Sequence, residues 1–138
     1  MRLTIYADGG ARGNPGPAGA GAVVRDDAEK ILASVSAYLG TQTNNFAEYE
    51  AVIRAFDALK NIPLLIAAET DIQVCMDSEL VVKQMRGEYK VRHPVLKEQY
   101  ARLVAHARAY RTVSFTHVPR AKNADADRLA NEAMDRGA

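Results

Sequence analysis

The 138-residue chain has little cysteine and no long apolar segment. Its single cysteine, Cys75, excludes an internal disulfide and lies in an apolar stretch, so we expect a buried, inert thiol. No apolar run approaches the roughly 20 residues needed to span a bilayer. The first residues also lack the basic segment and apolar stretch that direct export. We therefore expect a cytoplasmic protein without a membrane partner.

The chain also lacks an excess of charge of one sign, internal repeats and low-complexity segments. Its formal net charge of +1 argues against a protein that coats nucleic acid non-specifically. Apolar residues make up 48% and charged residues 25%, as in an ordinary globular domain. Because no linker divides the sequence, we expect residues 1–138 to form one domain. We also expect the protein to be a monomer.

The spacing of apolar residues predicts five strands and four helices. Strands are expected at about 2–7, 21–25, 31–39, 71–76 and 113–118, and helices through about 49–59, 78–86, 94–110 and 126–134. An asparagine before the first helix is expected to cap it, and residues 64–69 fit no pattern. The predicted fold is α/β, with three antiparallel strands followed by parallel strands in a mixed five-stranded sheet flanked by helices.

Four acidic residues stand at the ends of predicted strands or along predicted helices. Asp8 closes the first strand before a glycine-rich turn at 9–17, and Asp77 closes the fourth strand. Glu48 and Asp127 lie on helices. Ligands of α/β sheets bind at the carboxyl ends of strands, and carboxylates are preferred ligands of Mg²⁺ and Mn²⁺. These acids would form a hard-cation site if the fold brought them together.

Each acid also has an ordinary structural interpretation. Asp8 could be a turn residue, Asp77 with Ser78 could be a helix N-cap, and Glu48 could complement a helix dipole. Helix geometry puts Glu48 roughly 80° and Glu50 roughly 120° from the centre of the apolar face, so Glu50 is expected to point to water.

In the last helix, Asp125 and Asp127 flank the apolar face at similar angles, and periodicity leaves the choice between them open. Two other kinds of site are disfavoured. The glycine-rich turn leads into a strand and carries neither a dinucleotide fingerprint nor a P-loop lysine. No serine or cysteine has a plausible catalytic triad.

Four segments of the chain match, in order, those of a known family: Tyr6–Gly10 with Gly13–Pro17, Thr43–Glu48, Met76–Ser78 and Asn123–Ala130. With them the chain resembles the type 1 ribonucleases H (ribonuclease HI), which cut the RNA strand of an RNA–DNA hybrid. The resemblance implies the ribonuclease H fold. It also places Asp127, not Asp125, with Asp8, Glu48 and Asp77 as the four catalytic metal ligands.

The resemblance implies a metal-dependent endoribonuclease that uses two Mg²⁺ ions, with Mn²⁺ as a substitute. Its products would carry 3′-hydroxyl and 5′-phosphate ends. Without metal, the clustered carboxylates should repel one another and titrate together. Two alternatives stay open: a relaxed nuclease that also cuts double-stranded RNA, and a catalytically silent hybrid-binding domain. The presence of all four acids disfavours the silent domain.

Substrate contacts are also implied by the resemblance. Asn14, Asn44 and Asn45 match positions that touch the minor groove and the RNA strand, where the 2′-hydroxyl distinguishes RNA from DNA. Their amides can donate and accept hydrogen bonds. Thr43 matches a position near a phosphate pocket for the DNA strand. Helix capping is the alternative role for Asn44 and Asn45.

The chain departs from the family pattern in three places. Glu79 stands where many members have a glutamine. The loop before the last helix has no histidine and offers Arg120, which could contact the scissile phosphate but cannot shuttle a proton; His117, before this loop, is expected to face the sheet. The short segment 87–94 leaves no room for a basic handle, and we expect no preceding hybrid-binding domain, so affinity should be modest and salt-dependent.

Overall fold

The computed structural model describes all residues from Met1 to Ala138. The strands are β1 (Arg2–Ala11), β2 (Gly16–Arg25), β3 (Ile31–Gln42), β4 (Asp71–Met76) and β5 (Thr112–His117). The helices are α1 (Asn44–Leu59), α2 (Glu79–Met85), α3 (Pro94–Ala107) and α4 (Ala124–Arg136). Two short 3₁₀ turns, Ala67–Glu69 and Arg120–Asn123, precede β4 and α4. None of the helices has the length and apolar character that a membrane crossing requires.

The five strands form one mixed sheet in the order β3-β2-β1-β4-β5. The pairs β1–β2 and β2–β3 are antiparallel, whereas β1–β4 and β4–β5 are parallel. Each parallel connection runs through helices, as crossovers between parallel strands require. The predicted fold class is therefore confirmed.

β1 and β2 extend further than predicted. The turn expected directly after Asp8 was wrong, because β1 continues to Ala11, which pairs with Ala18 of β2. The glycines allow helices to approach the sheet closely. A Cβ on Gly9 would lie 2.2 Å from the backbone of Ala47 in α1, and one on Gly21 would lie 2.2 Å from a carbonyl oxygen of α4.

Helices cover both faces of the sheet. On one face, α1 packs on the central strands and buries Leu3, Ile5, Ile53 and Phe56 completely. On the other face, α4 lies across β2 and β1 and contributes small buried residues, such as Ala130, that suit a close approach. Removing this apolar surface from water stabilises the fold by about 25 cal/mol per Å². The end of the central strands where the acids lie is thereby flanked by α1 on one face and α4 on the other.

Several local predictions are corrected. The cap of α1 is Thr43, whose Oγ1 accepts a hydrogen bond from the Phe46 N–H at 3.2 Å, rather than an asparagine. α3 ends at Ala107. The segment that fitted no pattern contains an exposed turn at Leu64 and the first 3₁₀ turn, and neither has a regular apolar period. The expected burial of Cys75 is confirmed.

Candidate metal centre

Asp8 and Asp77 lie side by side because of the strand register. The parallel ladder between β1 and β4 ends with the pair Ala7 and Met76, and the two aspartates follow directly. Asp77 stands just beyond the end of β4, as predicted. Asp8 lies inside β1, where it pairs with Gly21 of β2, but it is past the last residue of β1 that β4 covers.

Glu48 reaches the same place from α1. Because Gly9 has no side chain, the start of α1 can approach β1, and the Gly9 N–H donates to Glu48 Oε2 at 3.2 Å. One carboxylate oxygen from each of Asp8, Glu48 and Asp77 lies within 4.8 Å of the others. This spacing brings three oxygen donors close enough to hold one cation.

Asp127 completes the acidic lining. It lies in the first turn of α4 and lines, with the other three acids, a cavity of about 290 Å³. Asp125 turns away from this cavity and forms an ion pair with Arg25 of β2 at 2.7 Å. The fold thus groups the four acids named from the sequence, while their role as metal ligands stays a prediction.

The electrostatics of the cluster favour a bound cation. Asp8 is only 7% exposed. Burial, then the charge of Asp77, and then hydrogen bonding and charge from Asp127 raise the pKa of Asp8 to about 8. Burial, Asp8 and Asp77 likewise raise the pKa of Glu48 well above its usual value. Burial and neighbouring negative charges disfavour ionisation of a carboxyl group. A divalent cation would supply positive charge that favours the ionised form of these acids. The donor set therefore fits Mg²⁺ or Mn²⁺.

Two arginines line the acidic cavity. Arg120, predicted as a phosphate contact, has a side chain that is 78% exposed, and its Nη2 lies 3.6 Å from Asp127 Oδ1. Arg12, which the sequence analysis did not single out, forms an ion pair with Asp135 at 2.6 Å. Asn131 was also missed, although its position four residues after Asp127 places both on one face of α4.

Two of the predicted substrate residues, Asn14 and Asn44, are hydrogen-bonded to each other beside this cavity. Asn44 Oδ1 accepts from the Ala11 N–H at 2.8 Å, and the Asn44 N–H donates to Asn14 Oδ1 at 3.1 Å. The side-chain oxygens of Asn14 and Asn44 are therefore occupied, while their NH₂ groups make no hydrogen bond within the chain. Asn45 and Thr43 are exposed and line a neighbouring cavity of about 270 Å³ with Asn14.

Two expectations about Glu50 and His117 were wrong. Glu50 does not point to water: it is buried, and it accepts hydrogen bonds from Gln99 at 3.0 Å and Arg102 at 3.3 Å. These partners belong to α3, which covers that flank of α1. His117 is exposed rather than packed on the sheet.

Glu79, the departure from the family pattern, is paired within its own helix. Its Oε1 lies 2.8 Å from Lys83 Nζ, and the hydrogen bond from Lys83 lowers the pKa of Glu79. The negative charge at this position is therefore partly compensated by a neighbouring cation.

The strand order, with carboxylates from β1, α1, the end of β4 and α4 at one sheet edge, defines a domain of the ribonuclease H fold. A family model described as "Reverse transcriptase-like" matches residues 6–133. The chain is 34% identical over 145 residues to ribonuclease HI of Caulobacter vibrioides, covering 96% of this chain and 93% of that protein. The chain therefore belongs to the ribonuclease HI family.

Two further relatives are more similar in sequence. The bifunctional protein Rv2228c of Mycobacterium tuberculosis is 47% identical over 139 residues, which are 100% of this chain. The chain spans only 37% of the length of that protein. The crystal structure of LC11-RNase H1 in complex with RNA/DNA hybrid has a TM-score of 0.90 and 49% identity, covering 97% of each chain.

Proposed function

We propose that residues 1–138 act as a single, monomeric ribonuclease H domain that hydrolyses the RNA strand of RNA–DNA hybrids in the cytoplasm. The observation that carries the proposal is the group of three carboxylate oxygens, from Asp8, Glu48 and Asp77, within 4.8 Å of one another. The hybrid bound by LC11-RNase H1, which has the same fold, supports the choice of substrate.

Asp8, Glu48, Asp77 and Asp127 would hold two Mg²⁺ ions, with Mn²⁺ as a substitute. Bound ions of this kind activate the attacking water and stabilise the leaving 3′ oxygen. Asp8, which lies beside Asp77 just past the end of the β1–β4 ladder, would be a central member of this ligand set. The water oxygen would bond to phosphorus as the bond from phosphorus to the 3′ oxygen breaks. The products would be a 3′-hydroxyl and a 5′-phosphate.

Arg120 would contact the scissile phosphate from the rim of the cavity. Its ion pair with Asp127 is long, at 3.6 Å, and its side chain is largely exposed, so little holds it in place before substrate binds. A guanidinium can donate two parallel hydrogen bonds to phosphate. It stays protonated at ordinary pH, so Arg120 would bind charge rather than transfer a proton.

Asn14 and Asn44 would bind the minor groove of the hybrid as hydrogen-bond donors. Their side-chain oxygens are occupied within the chain, so their NH₂ groups are the atoms available to substrate. Acceptors in the minor groove include base atoms and the ribose 2′-hydroxyl. Asn45 would extend this contact, and Thr43, at the start of α1, would lie near a phosphate of the DNA strand.

Cleavage assays with labelled RNA–DNA hybrid, double-stranded RNA and double-stranded DNA test the proposal. Each substrate is incubated with Mg²⁺, Mn²⁺ or chelator, using wild type, Asp77→Asn and the matched control Asp125→Asn. We expect metal-dependent cleavage of the RNA strand of the hybrid by wild type and by Asp125→Asn, and at least a hundredfold loss in Asp77→Asn, about 2.7 kcal/mol in activation free energy.

Full activity in chelator or in Asp77→Asn would contradict the metal site. Equal cleavage of double-stranded RNA would leave the site intact but broaden the substrate, and hybrid binding without cleavage would indicate a silent binding domain. The ends are tested separately: 5′-phosphate products accept label from polynucleotide kinase only after phosphatase treatment. Direct labelling would contradict the proposed chemistry.

A further inference from the structure

Asn123 connects the elements that carry three of the acids. It is completely buried at the end of the second 3₁₀ turn, directly before α4. Its Nδ2 donates to the Ala7 carbonyl oxygen at 2.9 Å, and it lies 3.5 Å from Asp77 Oδ1. Ala7 immediately precedes Asp8. One amide group therefore contacts the strand of Asp8 and the carboxylate of Asp77.

The position of Asn123 suggests helix capping, but its side chain does not cap. Asparagine is a favoured residue at the start of a helix because its oxygen can accept a hydrogen bond from the first turn. Here the side chain makes no such bond with α4. The backbone of Asn123 starts the helix that carries Asp127, four residues later, while the side chain is directed to β1 and β4.

The amide orientation is fixed by its neighbours. Both acceptors, the Ala7 oxygen and Asp77 Oδ1, lie on the nitrogen side, and the reversed amide would place oxygen against oxygen. In the observed orientation, Asn123 Oδ1 is buried without a hydrogen-bond partner. An unpaired buried acceptor is destabilising, and a leucine of similar size would avoid it. What leucine cannot supply is the pair of N–H donors.

We infer that Asn123 is a positioning residue that fixes the Asp77 carboxylate relative to Asp8 and to the start of α4 for metal binding. The inference rests on the proposed metal-dependent function. Residues that hydrogen-bond to metal ligands orient those ligands, and their loss typically lowers metal affinity or activity about 10- to 100-fold. Without Asn123, the Asp77 side chain could rotate and the separation of the acids would no longer be fixed.

The test measures Mg²⁺ binding by calorimetry without nucleic acid, and the Mg²⁺ dependence of hybrid cleavage. Asn123→Leu keeps the side-chain size, and Asn123→Ala covers the case in which leucine is not accommodated. The matched control is Thr70→Val, because the buried Thr70 Oγ1 also donates to a backbone carbonyl, that of Ile66 at 2.7 Å. Thr70 directly precedes β4 and Asp77 directly follows it, so the two lie at opposite ends of this strand. All variants are compared at a temperature where circular dichroism shows them folded.

We expect both Asn123 variants to bind Mg²⁺ about 10- to 100-fold more weakly. They should need correspondingly more Mg²⁺ for half-maximal cleavage, and Thr70→Val should bind Mg²⁺ as wild type does. Wild-type affinity in a folded Asn123 variant would overturn the inference, as would an equal loss in Thr70→Val. Failure of wild type itself to bind Mg²⁺ would instead contradict the proposed function.

Discussion

Asp8 and Asp77 are neighbours across two parallel strands, each directly following the last residue pair of the β1–β4 ladder. The hydrogen bonds of the sheet thus hold two carboxylates together whether or not a metal is present. The cost of this arrangement falls on Asp8, which is buried and whose pKa is raised to about 8. The stability of the metal-free protein should therefore depend on pH.

We expect Asp8→Asn to be more stable than wild type in chelator, by an amount that grows between pH 4 and pH 8. A carboxyl group with a raised pKa in the folded state favours folding while it stays protonated, and its contribution is lost as the pH rises through the folded value. The amide in the Asp8→Asn variant does not ionise, so the variant does not lose this contribution to stability as the pH rises. Thermal unfolding at pH 8 should show a rise of about 3 °C or more, the shift produced by roughly 1 kcal/mol in a domain of this size.

Asp71→Asn provides a control of opposite sign. Hydrogen bonds from Arg111 and then Thr112 lower the pKa of Asp71, so its contribution is present at neutral pH and is lost in acid. This variant should be less stable than wild type at pH 8, and the difference should shrink toward pH 2. An Asp8→Asn variant that followed the same trend would contradict the electrostatic account of the cluster.

Glu48 and Glu50 form a matched pair on one helix. Glu48→Gln should lower metal-dependent cleavage at least tenfold while the protein stays folded, because Glu48 belongs to the acidic cluster. Glu50→Gln should keep cleavage but lower the free energy of unfolding by about 1–3 kcal/mol, since it weakens the hydrogen bonds that the buried Glu50 accepts from Gln99 and Arg102. Activity assays and urea unfolding of both variants check this, and the reverse assignment of effects would contradict it.

The same pair shows how far sequence reasoning reaches. The spacing of apolar residues predicted the mixed sheet and a Glu48 side chain that points along it, because this spacing reflects local burial. They failed for Glu50, since a helix considered alone does not reveal that α3 covers its flank. They could not separate Asp125 from Asp127, because the choice depends on Arg25, 100 residues away in the chain.

The prediction of a turn at the glycines of β1 was wrong for a similar reason. Consecutive glycines are typical of a turn, but Gly9 pairs with Ala20 in the sheet, and α1 lies so close to it that only glycine fits. Gly9→Ala should therefore lower the free energy of unfolding by about 3 kcal/mol or more and weaken metal binding, since the added methyl would push α1, with Glu48, away from β1. Chemical unfolding and metal titration measure both effects.

Gly10→Ala is the control for Gly9→Ala. A Cβ at Gly10 would lie no closer than 3.8 Å to the Met134 side chain, which is ordinary contact. This variant should be as stable as wild type or more stable, by up to about 1 kcal/mol, because alanine restricts the unfolded chain. Similar destabilisation of both variants would show that the strand conformation, rather than the approach of α1, requires glycine.

Asn44 separates a structural from a substrate role within one side chain. Its side-chain oxygen accepts a hydrogen bond from the Ala11 N–H, whereas its NH₂ group makes no hydrogen bond within the chain and can donate to the hybrid. Asn44→Asp keeps the acceptor but replaces the donor with negative charge. We expect Asn44→Asp to fold normally and to bind hybrid at least tenfold more weakly than wild type. Asn44→Ala lacks both the donor and the charge, so its affinity for the hybrid should lie between those of wild type and Asn44→Asp.

The salt dependence of binding then identifies the cause. The negative charge introduced by Asn44→Asp repels phosphate, and salt screens this repulsion. The affinities of the aspartate and alanine variants of Asn44 should therefore converge as salt is raised. Fluorescence anisotropy with labelled hybrid, in chelator to prevent cleavage, measures both affinities. If instead the alanine variant bound more weakly at every salt concentration, the contact of Asn44 with Ala11 would matter more than its donor, and the substrate role would fall to Asn14 and Asn45.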